Sequence, residues 1–415
     1  MAAPQRAPLK PLSDALAQLL AAAEPLTATQ QVATLEADGR VLAADVVSAL
    51  HVPPQDNSSM DGYALRVQDV GVRGVQMPVS QRIPAGSSGA PLQPGTVARI
   101  FTGAPIPAGA DAVVMQEECS LLPVTEGDVT RVQVNAAPDS GQWIRRAGED
   151  VSLGDVVLSR GQRLGPAELG LAASIGLDQL TVLLRPRVAL FSTGDELVMP
   201  GTVAPQDMPP GAIYNSNRFF LNSLLRRMGC EVTDFGIVPD LLDATVQALR
   251  DASAAHDVIL TSGGVSVGEE DHIKPAVQSL GQLDLWQIAI KPGKPFAKGS
   301  VGTAHFIGLP GNPVSSFVTF LLLVRPFLMR LQGVIDVAPK GASMRADFNW
   351  PRADKRQEFL RVRRNMNGGL DLFANQSSGV LTSAVWGDGL VDNPAGQTIA
   401  PGDTVRFISF AELLT

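Results

Sequence analysis

The sequence predicts a multidomain protein of α/β plus β class, with a central three-layer α/β sheet domain, a β-rich N-terminal half and a small C-terminal β domain. Three observations predict it. Between residues 187 and 332, apolar strand-like runs alternate with helical patterns, the signature of βαβ units and a largely parallel sheet. From 46 to about 157, short β-branched runs are separated by Gly and Pro turns, and such runs return after Gly333. A length of 415 residues exceeds one ordinary core, and at roughly 150 residues per domain it makes two to four domains.

In chain order, leucines at helical spacing over 12–23, behind Ser13 as a cap, predict an opening helix. The β-rich stretch includes 99–101, 112–115 and 129–134, and Pro166 opens a helix over 166–174 with Gly176 as its stop. Helical segments on both sides make the β-rich stretch a candidate insertion. The expected division is 1–45 with 146–185 as a helical and mixed linker domain, 46–145 as the β-rich insert, 186–332 as the α/β domain and 333–415 as the terminal β domain. Strands are expected near 188–191, 231–237, 257–261, 284–290 and 304–309. Helices are expected from Ser216 (capped by Asn215 or Ser216), from Leu241 (capped by Asp240) and from Pro313. The apolar run 314–329 contains Arg325 and Pro326 and reads as a buried helix. Strands are expected again at 359–362, 379–381 and 404–408.

Composition excludes several classes. Hydrophobic residues make up 45% and charged residues 18%, which is globular. A formal net charge of -8 opposes general binding to nucleic acid or anionic membranes, because both need a basic surface. Cys119 and Cys230 lack metal or redox spacing, so a reducing compartment is expected and each reads as a buried hydrophobe. The N-terminus has no apolar signal core, and a cytoplasmic location is expected. His51, His256, His272 and His305 are scattered without zinc-site pairing, and only His272, beside Asp271, adjoins a candidate site.

The chemistry lies where strands end. Residues 188–191 lead into Ser192-Thr193-Gly194-Asp195-Glu196, and 258–260 into Thr261-Ser262-Gly263-Gly264, with Ser266 and Asp271 beyond. Residues 286–290 lead into Lys291-Pro292-Gly293-Lys294-Pro295, and 306–309 into Pro310-Gly311-Asn312-Pro313. Open α/β sheets bind ligands outside the carboxyl ends of their strands, so these turns are expected to converge on one crevice. Gly263 and Gly264 allow close backbone approach to an oxyanion, with Ser262 and Ser266 as hydroxyl donors; a glycine pair in an ordinary tight turn is the alternative. Lys291 and Lys294 could flank one anionic group, or simply sit in a solvated loop. Glu196 and Asp271 could give hard oxygen ligands to Mg2+, or cap helices. No G-x-G-x-x-G follows the first strand of the α/β domain, and no P-loop or nucleophile-elbow motif occurs. The residues alone reach a metal-assisted phosphate or pyrophosphate site.

Read together, six segments resemble the MoeA family, the molybdopterin molybdenumtransferases of molybdenum cofactor synthesis, related to the E domain of gephyrin. They are D-N-S-S-M-D-G-Y-A at 56–64, T-G-A-P-I-P-A-G-A-D-A-V-V-M-Q-E at 102–117, S-T-G-D-E-L at 192–197, T-S-G-G-V-S-V-G-E-E-D at 261–271, K-P-G-K-P at 291–295 and G-L-P-G-N-P-V-S at 308–315. The resemblance implies an enzyme that inserts molybdate into adenylylated molybdopterin and cleaves the pyrophosphate link, releasing AMP with Mg2+. It implies catalytic roles for Asp61, Thr102, Glu196, Asp240 and Asp271, with Glu196 and Asp271 as metal ligands and Asp150 at a further acidic position. It places the ligand against Ser262, Gly263, Gly264, Ser266, Lys291, Lys294, Pro310 and Pro313. It also implies a homodimer whose cleft joins the α/β domain of one subunit to the β-rich domain of the other, and a molybdopterin adenylyltransferase as a possible partner. Ser59, Pro239, Leu241 and His272 depart from the family pattern, Pro239 and Leu241 on either side of Asp240. A molybdopterin adenylyltransferase and a gephyrin-like scaffold are the competing readings. The motifs at 56–64 and the terminal β domain count against the first, and the lack of an added partner-binding segment against the second.

Overall fold

The computed structural model describes residues 9–123, 128–264 and 272–414. Its centre is a six-stranded sheet in the order Glu231–Val238, Arg187–Thr193, Val258–Ser262, Ala304–Leu309, Pro295–Val301, Gly281–Gln287. The first four strands are parallel. Pro295–Val301 runs against both of its neighbours, so Gly281–Gln287 again points with the parallel set. The sheet is largely parallel as expected, with one reversed strand. The expected strand at 284–290 is corrected to 281–287, because the chain then turns, and Ile290–Lys291 pairs with Gln357 and Glu358 of the C-terminal domain.

Strand alternation builds the three layers. Val188, Leu190, Val258, Leu260, Ile307 and Leu309 face a core shared with helices Leu12–Ala21, Ser216–Arg227 and the helical run 313–331. Their alternates Ala189, Phe191, Ile259 and Phe306 face helices Leu242–Ala255 and Ile273–Leu280 on the other side. Period-two alternation over two buried faces is what makes these strands near-continuously apolar. The run Pro313–Leu331 is long and apolar enough to cross a membrane, but 89% of its most apolar window is buried inside the protein. It passes through Arg325 and Pro326 as one rod because Phe320–Val324 widens into a π-turn, which relieves the proline ring and its missing N-H. Arg325 is buried and donates to the carbonyls of Val337 and Glu412.

The N-terminal half is carried on paired strands. Thr29–Ala33 pairs with Gln179–Leu183, Val46–Val47 with Val156–Leu158, and Asn57–Ser58 with Ile144–Arg145, so the outgoing and returning chains run side by side. Beyond them lies a second six-stranded sheet in the order Ala112–Met115, Gly62–Leu65, Val97–Ile100, Val75–Ile83, Arg131–Val134, Cys119–Leu121. At the other end of the chain, Ala342–Ala346, Gly369–Leu372, Gln357–Arg364, Gly389–Asn393 and Thr404–Ser409 pair in a closed ring, a small β-barrel.

Three local expectations need correction. The first helix starts at Leu12 after Pro11, and Ser13 lies inside it, donating to Asp14 instead of capping. The helix after Asp240 starts at Leu242 with Leu241 as its cap residue and no side-chain cap. Residues 379–381 form a turn leading into helix Thr382–Trp386, not a strand; Val380 and Leu381 carbonyls are taken by that first helical turn. Cys230 is buried as expected, while Cys119 is only half-buried; burial pushes both thiols up, Cys119 to about 11 and Cys230 to about 12, so both stay protonated.

Candidate functional site

A cleft of about 760 Å³ opens at the carboxyl edge of the α/β sheet. Thr193, Gly194 and Glu196 come from the first strand's turn, Asp240 from the turn after Glu231–Val238, Ser262, Gly263 and Gly264 from the next, and Pro310 to Pro313 from the last. The K-P-G-K-P turn reaches the same edge and contributes Pro295. Convergence follows from topology, since five of the six strands end on this side.

The glycine turns are shaped by close approach. Gly263 holds φ +95, and a Cβ there would stand 2.8 Å from the Thr193 carbonyl oxygen of the neighbouring strand end. A side chain would therefore meet both backbone strain and backbone contact. Gly263→Ala is expected to cost about 1–3 kcal/mol, read as a lower midpoint in chemical denaturation. An unchanged midpoint would mean that the turn rearranges freely. At Gly194, φ +141, a Cβ would press within 2.6 Å of the Glu196 carboxylate, so the glycine leaves room for that carboxylate to fold back beside the turn.

The charged residues divide. Glu196 is exposed on the cleft wall, and among the described residues its carboxylate makes no hydrogen bond or ion pair. Asp240 is half-buried on the same wall. Ser266 and Asp271 lie outside the described residues. Lys291 is turned to the barrel instead: its Nζ stands 3.0 Å from Glu358 Oε1 and 3.4 Å from Asp354 Oδ2. Glu358 is 1% exposed and also accepts from Trp350 Nε1, so this lysine neutralises a buried carboxylate. Lys294 is half-buried and its ammonium makes no hydrogen bond or ion pair among the described residues; neither lysine lines the cleft. Asp354 is held below the ordinary carboxylate range, chiefly by Arg356.

Asp61 and Thr102 meet each other, but in the β-rich sheet and not in this cleft. Asp61 Oδ1 accepts from the Thr102 backbone N-H at 2.8 Å and from its hydroxyl at 2.7 Å. These two bonds, in that order, lower the Asp61 pKa below its usual value, with a smaller contribution from the Arg99 charge. Asp150 is exposed on the paired-strand arm, where its backbone N-H donates to Val52.

Three regions of the chain match family profiles: "MoeA N-terminal region (domain I and II)" over residues 10–176, "Probable molybdopterin binding domain" over 189–330 and "MoeA C-terminal region (domain IV)" over 343–410. A protein of Haemophilus influenzae named molybdopterin molybdenumtransferase is 42% identical over 81% of this chain and 81% of its own. The chain belongs to the MoeA family. Molybdopterin molybdenumtransferase 2 of Mycobacterium tuberculosis is 38% identical over 91% of this chain and 93% of its own. The crystal structure of the molybdopterin biosynthesis moeA protein of Pyrococcus horikoshii OT3 superposes with a TM-score of 0.82 at 28% identity, covering 97% of this chain and all of that one.

In this MoeA-family chain two segments that line the cleft escape the sequence reading as contributors to it, 213–217 and the turn at Gly379. Asn217, Asn215 and Ser216 line it from the start of helix Ser216–Arg227. Asn215 alone caps that helix, accepting from the Arg218 N-H, so the second asparagine in Asn215-Ser216-Asn217 was a surplus that could have drawn notice. Gly379 reaches the cleft from the C-terminal barrel region, where the preceding Ser378 carbonyl accepts from the Val314 N-H at 2.9 Å. Nothing in its own sequence neighbourhood marks that role.

Proposed function

We propose that this chain inserts molybdate into adenylylated molybdopterin and cleaves the pyrophosphate link, releasing AMP and molybdenum cofactor. The reading is carried by the Glu196 carboxylate standing at the same strand-end cleft as the Ser262-Gly263-Gly264 turn, an arrangement suited to a phosphorylated ligand, in a MoeA-family chain. Ser262, Gly263, Gly264, Pro310 and Pro313 take the phosphate side of the ligand, with Ser266 and Asp271 from the segment next to them. Lys294 supplies positive charge at the neighbouring turn, and Lys291 ties that turn to the barrel.

Mg2+ suits the donors present. Glu196 and Asp240 offer hard carboxylate oxygens on one wall, and no group of three metal-ligating side chains occurs among the described residues. That is the pattern of an ion that takes one or two carboxylates and completes its shell with water and phosphate oxygens, not of a closed protein cage. Glu196 and Asp271 would hold it, with Asp240 beside them, and bound there it would neutralise charge developing on the pyrophosphate oxygens. Asp61 and Thr102 join from the β-rich domain of a second subunit of a homodimer, since they lie outside the cleft of their own chain.

Wild-type protein given adenylylated molybdopterin, molybdate and Mg2+ is expected to release AMP, resolved by liquid chromatography, and to yield cofactor that activates an apo-molybdoenzyme. Chelation of the divalent ion should stop both. ATP-dependent adenylylation of molybdopterin by the chain, with no AMP release, would overturn the proposal.

A further inference from the structure

Asn217 sits in the first turn of helix Ser216–Arg227 and is 8% exposed. The helix does not need it as a cap, because Asn215 already serves. Its amide instead spans the cleft floor. Nδ2 lies 2.8 Å from Ser262 Oγ and 2.7 Å from the Gly311 carbonyl oxygen, groups that follow two neighbouring parallel strands.

The orientation of this amide follows from chemistry. A carbonyl oxygen only accepts, so the nitrogen of Asn217 must face Gly311; the opposite rotamer would set two oxygens 2.7 Å apart. The nitrogen carries two protons and spends one on each partner. Ser262 Oγ is therefore an acceptor toward Asn217, and its own proton must go elsewhere. Ser262 is 3% exposed, lines the cleft, and donates to no acceptor among the described residues. A hydroxyl that accepts one strong bond also becomes a better donor in the next.

We infer that Asn217 is a positioning residue that fixes the Ser262 hydroxyl as a donor aimed into the cleft, for an oxyanion of the bound ligand, and locks the Ser262 and Gly311 turns at one spacing. The inference rests on the proposed reading of the cleft as a phosphorylated-ligand site. It adds a division of labour: Ser262 touches the ligand, and Asn217 decides which way Ser262 points.

Titration calorimetry with AMP and with adenosine tests it. Ser262→Ala should weaken AMP about tenfold or more and leave adenosine unchanged, because the lost donor faces the phosphate. Asn217→Asp sets a carboxylate oxygen against the Gly311 carbonyl and accepts the Ser262 proton, so it breaks both contacts, turns the hydroxyl inward and should weaken AMP at least as much. Asn217→Ser, too short to reach both partners, should lose part of the same affinity if the aspartate variant folds poorly. The double variant Asn217→Ser with Ser262→Ala should bind AMP nearly as Ser262→Ala does, since both changes remove one interaction. Fully additive losses, equal weakening of adenosine, or wild-type AMP affinity in the Asn217→Ser variant would overturn the inference. Absence of AMP binding by wild-type protein, with adenosine also unbound, would overturn the reading of the cleft itself and the inference with it.

Discussion

Glu196→Ala will slow AMP release by about a hundredfold or more while leaving thermal unfolding where it is in the wild type. The two halves of that expectation come from the same observation. The Glu196 side chain is exposed on the cleft wall and makes no hydrogen bond or ion pair among the described residues, so removing it strips nothing from the fold. Gly194 keeps a side chain away from the carboxylate, and the alanine variant loses only the group that faces ligand. Glu196→Gln separates charge from shape: it keeps the outline and an oxygen, and should be impaired nearly as much if the negative charge is what acts. Single-turnover AMP release with saturating Mg2+ measures the chemical step without product release. A Glu196→Ala protein that releases AMP at the wild-type rate would remove this residue from the reaction.

Mixing two inactive variants should restore activity. Asp61→Ala and Glu196→Ala are each expected to be nearly silent alone. If Asp61 serves the cleft of the other subunit, a mixed dimer carries both lesions in one cleft and none in the other. With free subunit exchange about half of the dimers are mixed, so about a quarter of wild-type activity should return. No recovery, with mixed dimers verified by two affinity tags, would place Asp61 and Glu196 in the same chain's reaction or in none. The pair Asp61 and Thr102 fits a role as an ionised group. Its folded pKa lies below the unfolded value, so the capping bonds contribute fully above the ordinary carboxylate range and are lost only as the pH falls through that lowered value.

The strand-end turns were legible because each pairs an apolar run with glycine and proline, and local chemistry of that kind is written in consecutive residues. The buried helix 313–331 was legible for the same reason, although the π-turn that carries it past Pro326 was not. What could not be read was set by partners remote in sequence. Lys291 reads as one of two cations flanking an anion or as part of a solvated loop, yet its partner, the buried Glu358, lies 67 residues on in the C-terminal barrel. The reversed strand Pro295–Val301 is not among the expected strands, because Lys298, Gly299 and Ser300 interrupt its apolar run; only its pairing with both neighbours reveals it. Asn217 carries no expectation from the sequence, because a polar residue at a helix start has an ordinary use and its partner Gly311 is 94 residues away. The failed expectation of a strand at 379–381 has the same origin: Val380 and Leu381 are apolar, but the turn they form is fixed against the helix at Val314.

The contact from Ser378 to Val314, with Gly379 at the cleft, joins the C-terminal region to the cleft. Any molecule held there is held partly by the barrel, so the equilibrium for barrel detachment and the equilibrium for ligand departure share one free energy. Amide protons across 377–381 would then exchange more slowly in the occupied protein, even though those residues belong to a different layer from the glycine turns. Loosening the closed ring of strands is therefore expected to shorten the residence of a molecule bound in the cleft.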